Sequence, residues 1–485
     1  MNRVLLPLSW CALLFAGCRT TREVLDDYAR NYASGAYEVA SKEVSELAEK
    51  RDGTELMYRL LSASALRNAG ATQAVLEQRD KSEDVMGAYD RKSVFASAGS
   101  GTLAMLTNDR SFPYDGGGQD RVFTCLYKGV EYAVAGDVNA ARTEFNRAGA
   151  HQENWLWERR KDISAAKERM DKESAEYAKE KGSEKEAAGA GKVSEDALAD
   201  DGFAGQLKEN LGYDTATSGN LDTLKPVDWM NPYASHVTGV FRWLNGDEAR
   251  SFLKDAAECR KDNAVAAGDY KACDSGERPA DTVWVWVEDG LCPTRKEWRI
   301  DLPVLLVPYA NKYILYAGMA FPKLEYRGVG GNGWALRTSD GGCTMDEIAD
   351  VDRLVRLEYD VYLRGALTRE ITRTVVKIGA QVALGVAADN TGDWRHQLAL
   401  RAAQVGVAAW AAGTTAADER SWTALPKRVL AGRVKRPADG KVSIIADGGV
   451  VAELTLPPGN SMVFVVKPSP DAKASVKSAT YPASR

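Results

Sequence analysis

Apolar residues recur at helical spacing through the first half of the chain, and two stretches show it most plainly. In the first, Phe123, Leu126, Tyr127, Val130 and Val134 share one helical face before a turn at Gly136-Asp137. Ala141, Phe145 and Ala148 then fall at the +5, +9 and +12 positions from that glycine. In the second, "NPYASHVTGVFRWLNGDEARSFLKDAAECRKDN" (231–263), Asn231 is a natural N-cap and Pro232 suits the first helical turn. Val237, Val240, Phe241 and Leu244 form the apolar face, Gly246-Asp247 turns the chain, and Ala249, Phe252 and Ala256 continue the second helix. Looser versions, "YASGAYEVASKEV" and "LLSASALRNAGATQAVLEQ", precede them. Small residues at such positions let antiparallel helices cross closely and stack as repeats. The pattern predicts tetratricopeptide-like αα-hairpins, although any αα-hairpin needs similar chemistry.

From Trp155 to about Glu186 the chain is charged and helical, with Ile163, Met170 and Tyr177 every seven residues. That stripe is too short for a coiled coil and reads as a solvated helix face. The composition of "AAGAGKVSEDALADDG" predicts a flexible linker. After Pro279 the period changes to two. "DTVWVWVEDG" is apolar on both faces and predicts a central strand. "KEWRIDLP" alternates as a half-exposed neighbour, and "KYILYAGMAFPKLEYR" is a third strand. Helices are expected from Met345 to about Ala417. Strands follow from Ser421 to Pro468, with "ADGG" as a hairpin turn and "LPPGN" as another. The small-residue helices "VVKIGAQVALGVAA" and "LALRAAQVGVAAWAAG" fall short of a membrane span and predict a packed antiparallel core pair joined by "DNTGDW".

The expected fold class is α+β, mostly helical with a smaller strand-rich C-terminal part. The expected divisions are a signal peptide (1–17), a helical domain with its long charged helix (18–182), and a linker (183–223). A helical hairpin continuing the array (224–280), a mixed domain (281–468) and a frayed tail (469–485) follow. Within the mixed domain, strands are expected at 281–327 and 427–467 and helices at 345–417.

Composition changes the picture mainly at the N-terminus. "MNRVLLPLSWCALLFAGC" has one basic residue, a short apolar run and Ala16-Gly17-Cys18. It resembles a bacterial lipobox, with Phe15 where leucine is usual. The alternative is an ordinary secretory signal with a chance cysteine. The preferred reading makes Cys18 an acylated, palmitate-bearing N-terminus, held in the bilayer by about 0.8 kcal/mol per buried methylene. Arg19, rather than aspartate, follows it. By resemblance to enteric lipoproteins this implies a periplasm-facing place on the outer membrane. Five further cysteines remain besides Cys11 and Cys18. Cys259 with Cys273, and Cys292 with Cys343, are candidate disulfides, and Cys125 reads as a buried thiol.

The net charge of -5, with both signs interspersed, argues against a nucleic-acid surface. His151, His236 and His396 lie in separate segments without ligand spacing, and no nucleophile-elbow, Walker or dinucleotide motif occurs. No catalytic residue, cofactor site or metal site is assigned, and the chain is not expected to be an enzyme. Asp115, Asp120 and Arg121 in "YDGGGQDR" read as a helix cap before a ligand loop. Trp284 and Trp286 read as core before a glycan platform.

Several phrases in fixed order carry a resemblance: Asn108-Asp109, Tyr114, "AGDVNAARTEFNRA", "NPYASHVTGVFRWLNGDEA", "VEDGLCP", "AFPKLEY" and "RSWTALPKRV". Over about Asn108 to Lys467 the chain resembles a family of bacterial lipoproteins with tetratricopeptide-like helices. Their genes often sit near that of a lipoprotein activating penicillin-binding proteins. The resemblance implies envelope biology and brings no catalytic residues with it. The expected function is a lipid-anchored scaffold that binds an envelope protein, linked to peptidoglycan synthesis. The alternative is a peptidoglycan- or glycan-binding protein or a cell-wall hydrolase.

Overall fold

The computed structural model describes residues 20–50, 53–95, 108–181, 197–301 and 313–482. The fold is α+β. Helices α1 (Thr21–Ala33), α2 (Tyr37–Ala48), α3 (Glu55–Asn68), α4 (Thr72–Phe95), α5 (Gly118–Ala135) and α6 (Val138–Lys181) open the chain. After α7 (Asp201–Leu211) and the short α8 (Pro226–Trp229) come α9 (Pro232–Leu244), α10 (Arg250–Cys259) and α11 (Ala264–Asp274). The hairpins α1–α2, α3–α4, α5–α6 and α9–α10 share one turn. A glycine at φ between +75 and +82 (Gly35, Gly70, Gly136, Gly246) bonds back three residues, and the next residue bonds back five. Only glycine adopts this left-handed cap without strain.

The third and fourth hairpins share a further signal, Gly-Val-x5-Gly-Asp, at Gly129 and at Gly239. A Cβ on Gly129 would stand 2.5 Å from the Phe145 ring, and one on Gly239 would stand 2.7 Å from Leu253. These glycines let each hairpin close. The two hairpins then stack through α6 and α9. The Phe145 and Phe241 rings lie 4.8 Å apart, Arg142 bonds Asp247 at 2.7 Å, and Arg242 bonds Asn146 at 2.7 Å. The two Gly-Asp turns therefore differ in use. Asp137 caps α6 through the Ala140 amide, while Asp247 ties its hairpin to its neighbour.

The strands are β1 (Thr282–Asp289), β2 (Thr294–Asp301), β3 (Gly318–Glu325), β4 (Ala335–Thr338), β5 (Gly341–Thr344) and β6 (Asp346–Asp350). Helices α12 (Val351–Asn390) and α13 (Trp394–Thr414) separate them from β7 (Arg428–Lys435), β8 (Lys441–Ala446), β9 (Gly449–Thr455), β10 (Asn460–Lys467) and β11 (Ser475–Tyr481). A five-stranded sheet runs β11-β10-β1-β7-β6, with β1 and β10 parallel and the other pairs antiparallel. A four-stranded sheet runs β5-β4-β8-β9. Alternation along β1 explains its apolar character on both sides. Trp284 and Trp286 pack on the helices, whereas Val283, Val285 and Val287 face Trp334, Leu336, Val442 and Ile444 of the second sheet. The result is three layers: helical array, central sheet and outer sheet. Asp447 and Gly448, both at positive φ, make the β8–β9 connection a type I′ turn.

Several expectations are corrected. The linker expected over 183–223 contains α7, whose Phe203, Leu207 and Leu211 are buried with β2, β3 and α12; residues 183–196 lie outside the described region. The tail expected to fray supplies β11, which pairs with β10 and closes the central sheet. Strand β2 is no neighbour of β1 and forms a separate pair with β3. Strands β4 to β6 precede the helix expected from Met345, which starts at Val351. The signal segment and Cys18 lie outside the described residues.

Overpacking at the two close crossings should destabilise the protein. Gly129→Ala and Gly239→Ala are each expected to lose about 1–3 kcal/mol in urea unfolding. Gly205→Ala, exposed on α7 with open space about its Cβ, should gain up to about 1 kcal/mol.

Candidate functional site

Four groups of ionisable side chains hold the layers together. At the centre, Glu288 of β1 accepts from Arg67 at 2.7 and 2.9 Å and from the hydroxyls of Tyr127 and Tyr233 at 2.9 Å each. Burial, and then this carboxylate, raises both phenols well above their ordinary range. Glu131 accepts from Lys477 of β11 at 2.6 Å and from Thr72 at 2.8 Å. Arg79 is fully buried, with its guanidinium 5.0 Å from the Tyr127 ring and 4.9 Å from Trp422. Burial lowers its pKa to about 10.

A second group joins His236, Asp269, Trp284 and Trp286. The Trp286 indole donates to His236 Nδ1 at 3.0 Å, so Nε2 carries the proton and donates to Asp269 at 2.9 Å. Trp284 and Arg433 also donate to Asp269. The two tryptophans are thus core, not a platform for glycan. His396 is exposed at the α12–α13 turn and His151 is half-buried on α6.

The "YDGGGQD" loop opens α5. Asp120 accepts from the Gly117 amide at 2.9 Å and from Tyr114 at 2.5 Å. Glu358 of α12 reaches the same helix start, accepting from the Gln119 amide and the Trp155 indole at 2.8 Å each. The missing Cβ atoms of Gly117 and Gly118 leave room for Glu358 and Trp155. Burial raises both carboxyls, while the helix start and its amides favour their charge. The fourth group pins the preceding loop. Asp109 accepts from Arg369 at 2.5 Å, Arg373 at 2.8 Å and Tyr362 at 3.0 Å. These cations hold its carboxyl well below the usual range despite burial.

Glu83, Cys125 and Glu144 cluster as metal ligands do. Lys128 fills that role, bonding Glu83 at 2.8 Å and Glu144 and Asp80 at 2.9 Å. The proposed disulfides are absent. Cys125, Cys259, Cys273, Cys292 and Cys343 are all free thiols. Cys259 ends α10 and Cys273 lies on the last turn of α11, whereas Cys292 bonds the Trp422 carbonyl and Cys343 the Arg433 carbonyl. Burial pushes Cys259 and Cys292 up to about 11, which leaves them protonated and poorly nucleophilic.

Two surfaces stand out among the described residues. The first is a groove along β6 formed by two cavities, of about 380 and 370 Å³, which share Glu347 and Arg428. Tyr326, Asp350, Asp352, Arg353, Arg356 and Lys427 line one end, and Asn332, Trp334, Thr344 and Leu430 line the other. Arg428 is held by Asp289 at 2.8 Å, Arg356 by Asp360 at 2.9 Å, and Glu347 by Arg260 at 2.8 Å. The groove offers fixed charges of both signs beside an aromatic edge.

The second surface is the α12–α13 hairpin. The pair is antiparallel as expected, but α13 is not core. It buries only Gln404, Ala408 and Ala411, while Trp394, Leu398 and Val405 are 67%, 63% and 59% exposed. The spacing Lys377-Gln381 and Arg401-Gln404 is the signal that reveals this arrangement. It puts the few polar residues on the side that meets the partner helix and the Tyr313–Tyr316 segment.

No protein-family model, curated protein or solved structure matches the chain.

Alkylation of the unfolded protein without reductant should label all five of these cysteines; a pair that needs reductant would restore the bridge. Asp109→Asn should cost about 3 kcal/mol at pH 7, because buried guanidinium groups lose their counter-charge. The folded carboxyl titrates below its unfolded value of about 3.9. Its contribution is therefore full above about pH 5 and is lost only as pH falls through the depressed folded value, so the gap between wild type and variant should narrow below about pH 4 and still be open at about pH 3 in urea titrations.

Proposed function

We propose that the protein is a lipid-anchored scaffold of the bacterial cell envelope, held by acylated Cys18 and binding a protein partner. The supporting observation is the β6 groove, which is set in a body made rigid by buried charge clusters. A groove with fixed charges of both signs and an aromatic edge suits a polar peptide segment, whose register ion pairs would select. The stacked helical hairpins fit the same role, since repeat helices commonly present partner surfaces. The link to peptidoglycan synthesis rests on the family resemblance.

The anchor is tested by palmitate labelling, which Cys18→Ser should abolish while releasing the protein from membranes. The partner is tested by a photocrosslinking residue at Tyr326, on the groove, and at Val39, exposed on α2. A discrete protein adduct from position 326 alone is expected. No adduct, or the same adducts from both positions, would count against the groove. Adducts to muropeptides would favour a wall-binding protein.

A further inference from the structure

The α12–α13 hairpin is built inside out for a protein in water. Val375–Ala388 of α12 and Leu398–Gly413 of α13 contain four polar residues: Lys377, Gln381, Arg401 and Gln404. Lys377, Gln381 and Gln404 are buried, whereas Arg401, its side chain 38% exposed, reaches toward the tip. Lys377 donates to Thr414 at 3.0 Å, Gln381 accepts from the Leu315 amide at 2.9 Å, and Gln404 donates to the Tyr313 carbonyl at 2.7 Å. Arg401 pairs with Asp389 and bonds Gln404 at 2.9 Å. Apart from Arg401, what α13 exposes over that span is apolar, including Leu398, Ala402, Val405, Ala409 and Trp410. Helices in water reverse this arrangement.

We propose that this hairpin inserts into a lipid bilayer. Its apolar band on α13 covers 16 residues, about 24 Å at 1.5 Å per residue. Bilayer hydrocarbon is about 30 Å thick, and less in bacterial outer membranes. Trp394 at the tip and Trp410 near the foot bound the band, as aromatic residues do at the two membrane interfaces. Beyond it lie Asp389, Asp393, Arg395 and His396 at the tip, and Asp109, Arg369 and Arg373 at the foot. The exposed residues cover nearly half of the circumference of α13, wider than the stripe one partner helix covers. A helix lying flat on a membrane needs a charged outer face, which this one lacks. The first described residues lie beside the foot. Thr20, two residues after Cys18, caps α1, and Arg22 bonds Glu419 at 3.4 Å, five residues beyond Thr414. The inference rests on the scaffold reading only for that placement of the anchor.

The test uses residues 19–485 without acyl groups and vesicles of phosphatidylethanolamine and phosphatidylglycerol. The protein should float with the vesicles. The double variant Leu398→Asp/Val405→Asp should lower the bound fraction at least about tenfold, given the cost of aspartate in hydrocarbon. Val39→Asp should leave it unchanged, and unfolding midpoints close to wild type would show that both variants fold. Failure of the wild type to float, or equal flotation of the double variant, would overturn the proposal. So would a defined oligomer in lipid-free solution that the double variant converts to monomer, since the face would then belong to a second copy. Neither acyl chains nor partner is present, so these failures leave the scaffold reading to its own crosslinking test.

Discussion

The buried carboxylate of Glu288 is the constraint on which the rest depends. Strand β1 carries it into an apolar layer, where an unpaired charge costs several kcal/mol. Its two oxygens are satisfied by one bidentate arginine and two phenols, drawn from α3, α5 and α9. Three helical hairpins must therefore stand at fixed heights on the central sheet. Glu131 extends the constraint to β11 through Lys477, so the last strand and the helical array hold each other in place. Apolar packing alone would let helices slide on a sheet; directional donors around one charge do not.

With the array and sheet locked, the remaining charge clusters position the periphery. Asp109 and Glu358 fasten the loop before α5 to α12, which links the long helix to the array at two levels. The outer half of α12 runs on with α13, flanked by the segment in which Tyr313 bonds Asp389 and the Leu315 and Tyr316 amides bond Gln381. At the other border, β6 ends the sheet, and the groove opens where its charges meet those at the start of α12. Rigid attachment at the foot would let the proposed hairpin in lipid hold the body in one orientation. An acyl anchor beside that foot and a hairpin in lipid would together set the orientation of the groove.

Much of the fold was legible in residues taken locally. The Gly-Asp turns, the Asn231-Pro232 helix start, the double-sided apolar strand at Thr282–Asp289 and the "ADGG" hairpin all depend on neighbours within a few positions. What local reading missed depended on distant partners. Phe203, Leu207 and Leu211 sit at helical spacing in a polar stretch, and only β2, β3 and α12 make them core. Strand β11 looks like tail because its lysine and serines become strand residues only once β10 and Glu131 receive them. Cysteine spacing suggested bridges, but thiols bonded to backbone carbonyls, buried at Cys292 and half-buried at Cys343, explain the pair without one.

The sequence by itself determined the turns, the helix caps, the repeated close glycine crossings and the segment ending at Cys18, because φ angles, missing Cβ atoms and short apolar runs are local properties. It also determined that α13 is apolar nearly all round. Only the tertiary structure decided which apolar surface is buried. The same helical spacing buries Phe145 and Phe241 against each other and leaves Leu398 and Val405 in the open. Burial is a relation between distant segments, and the chain alone does not state which surfaces meet.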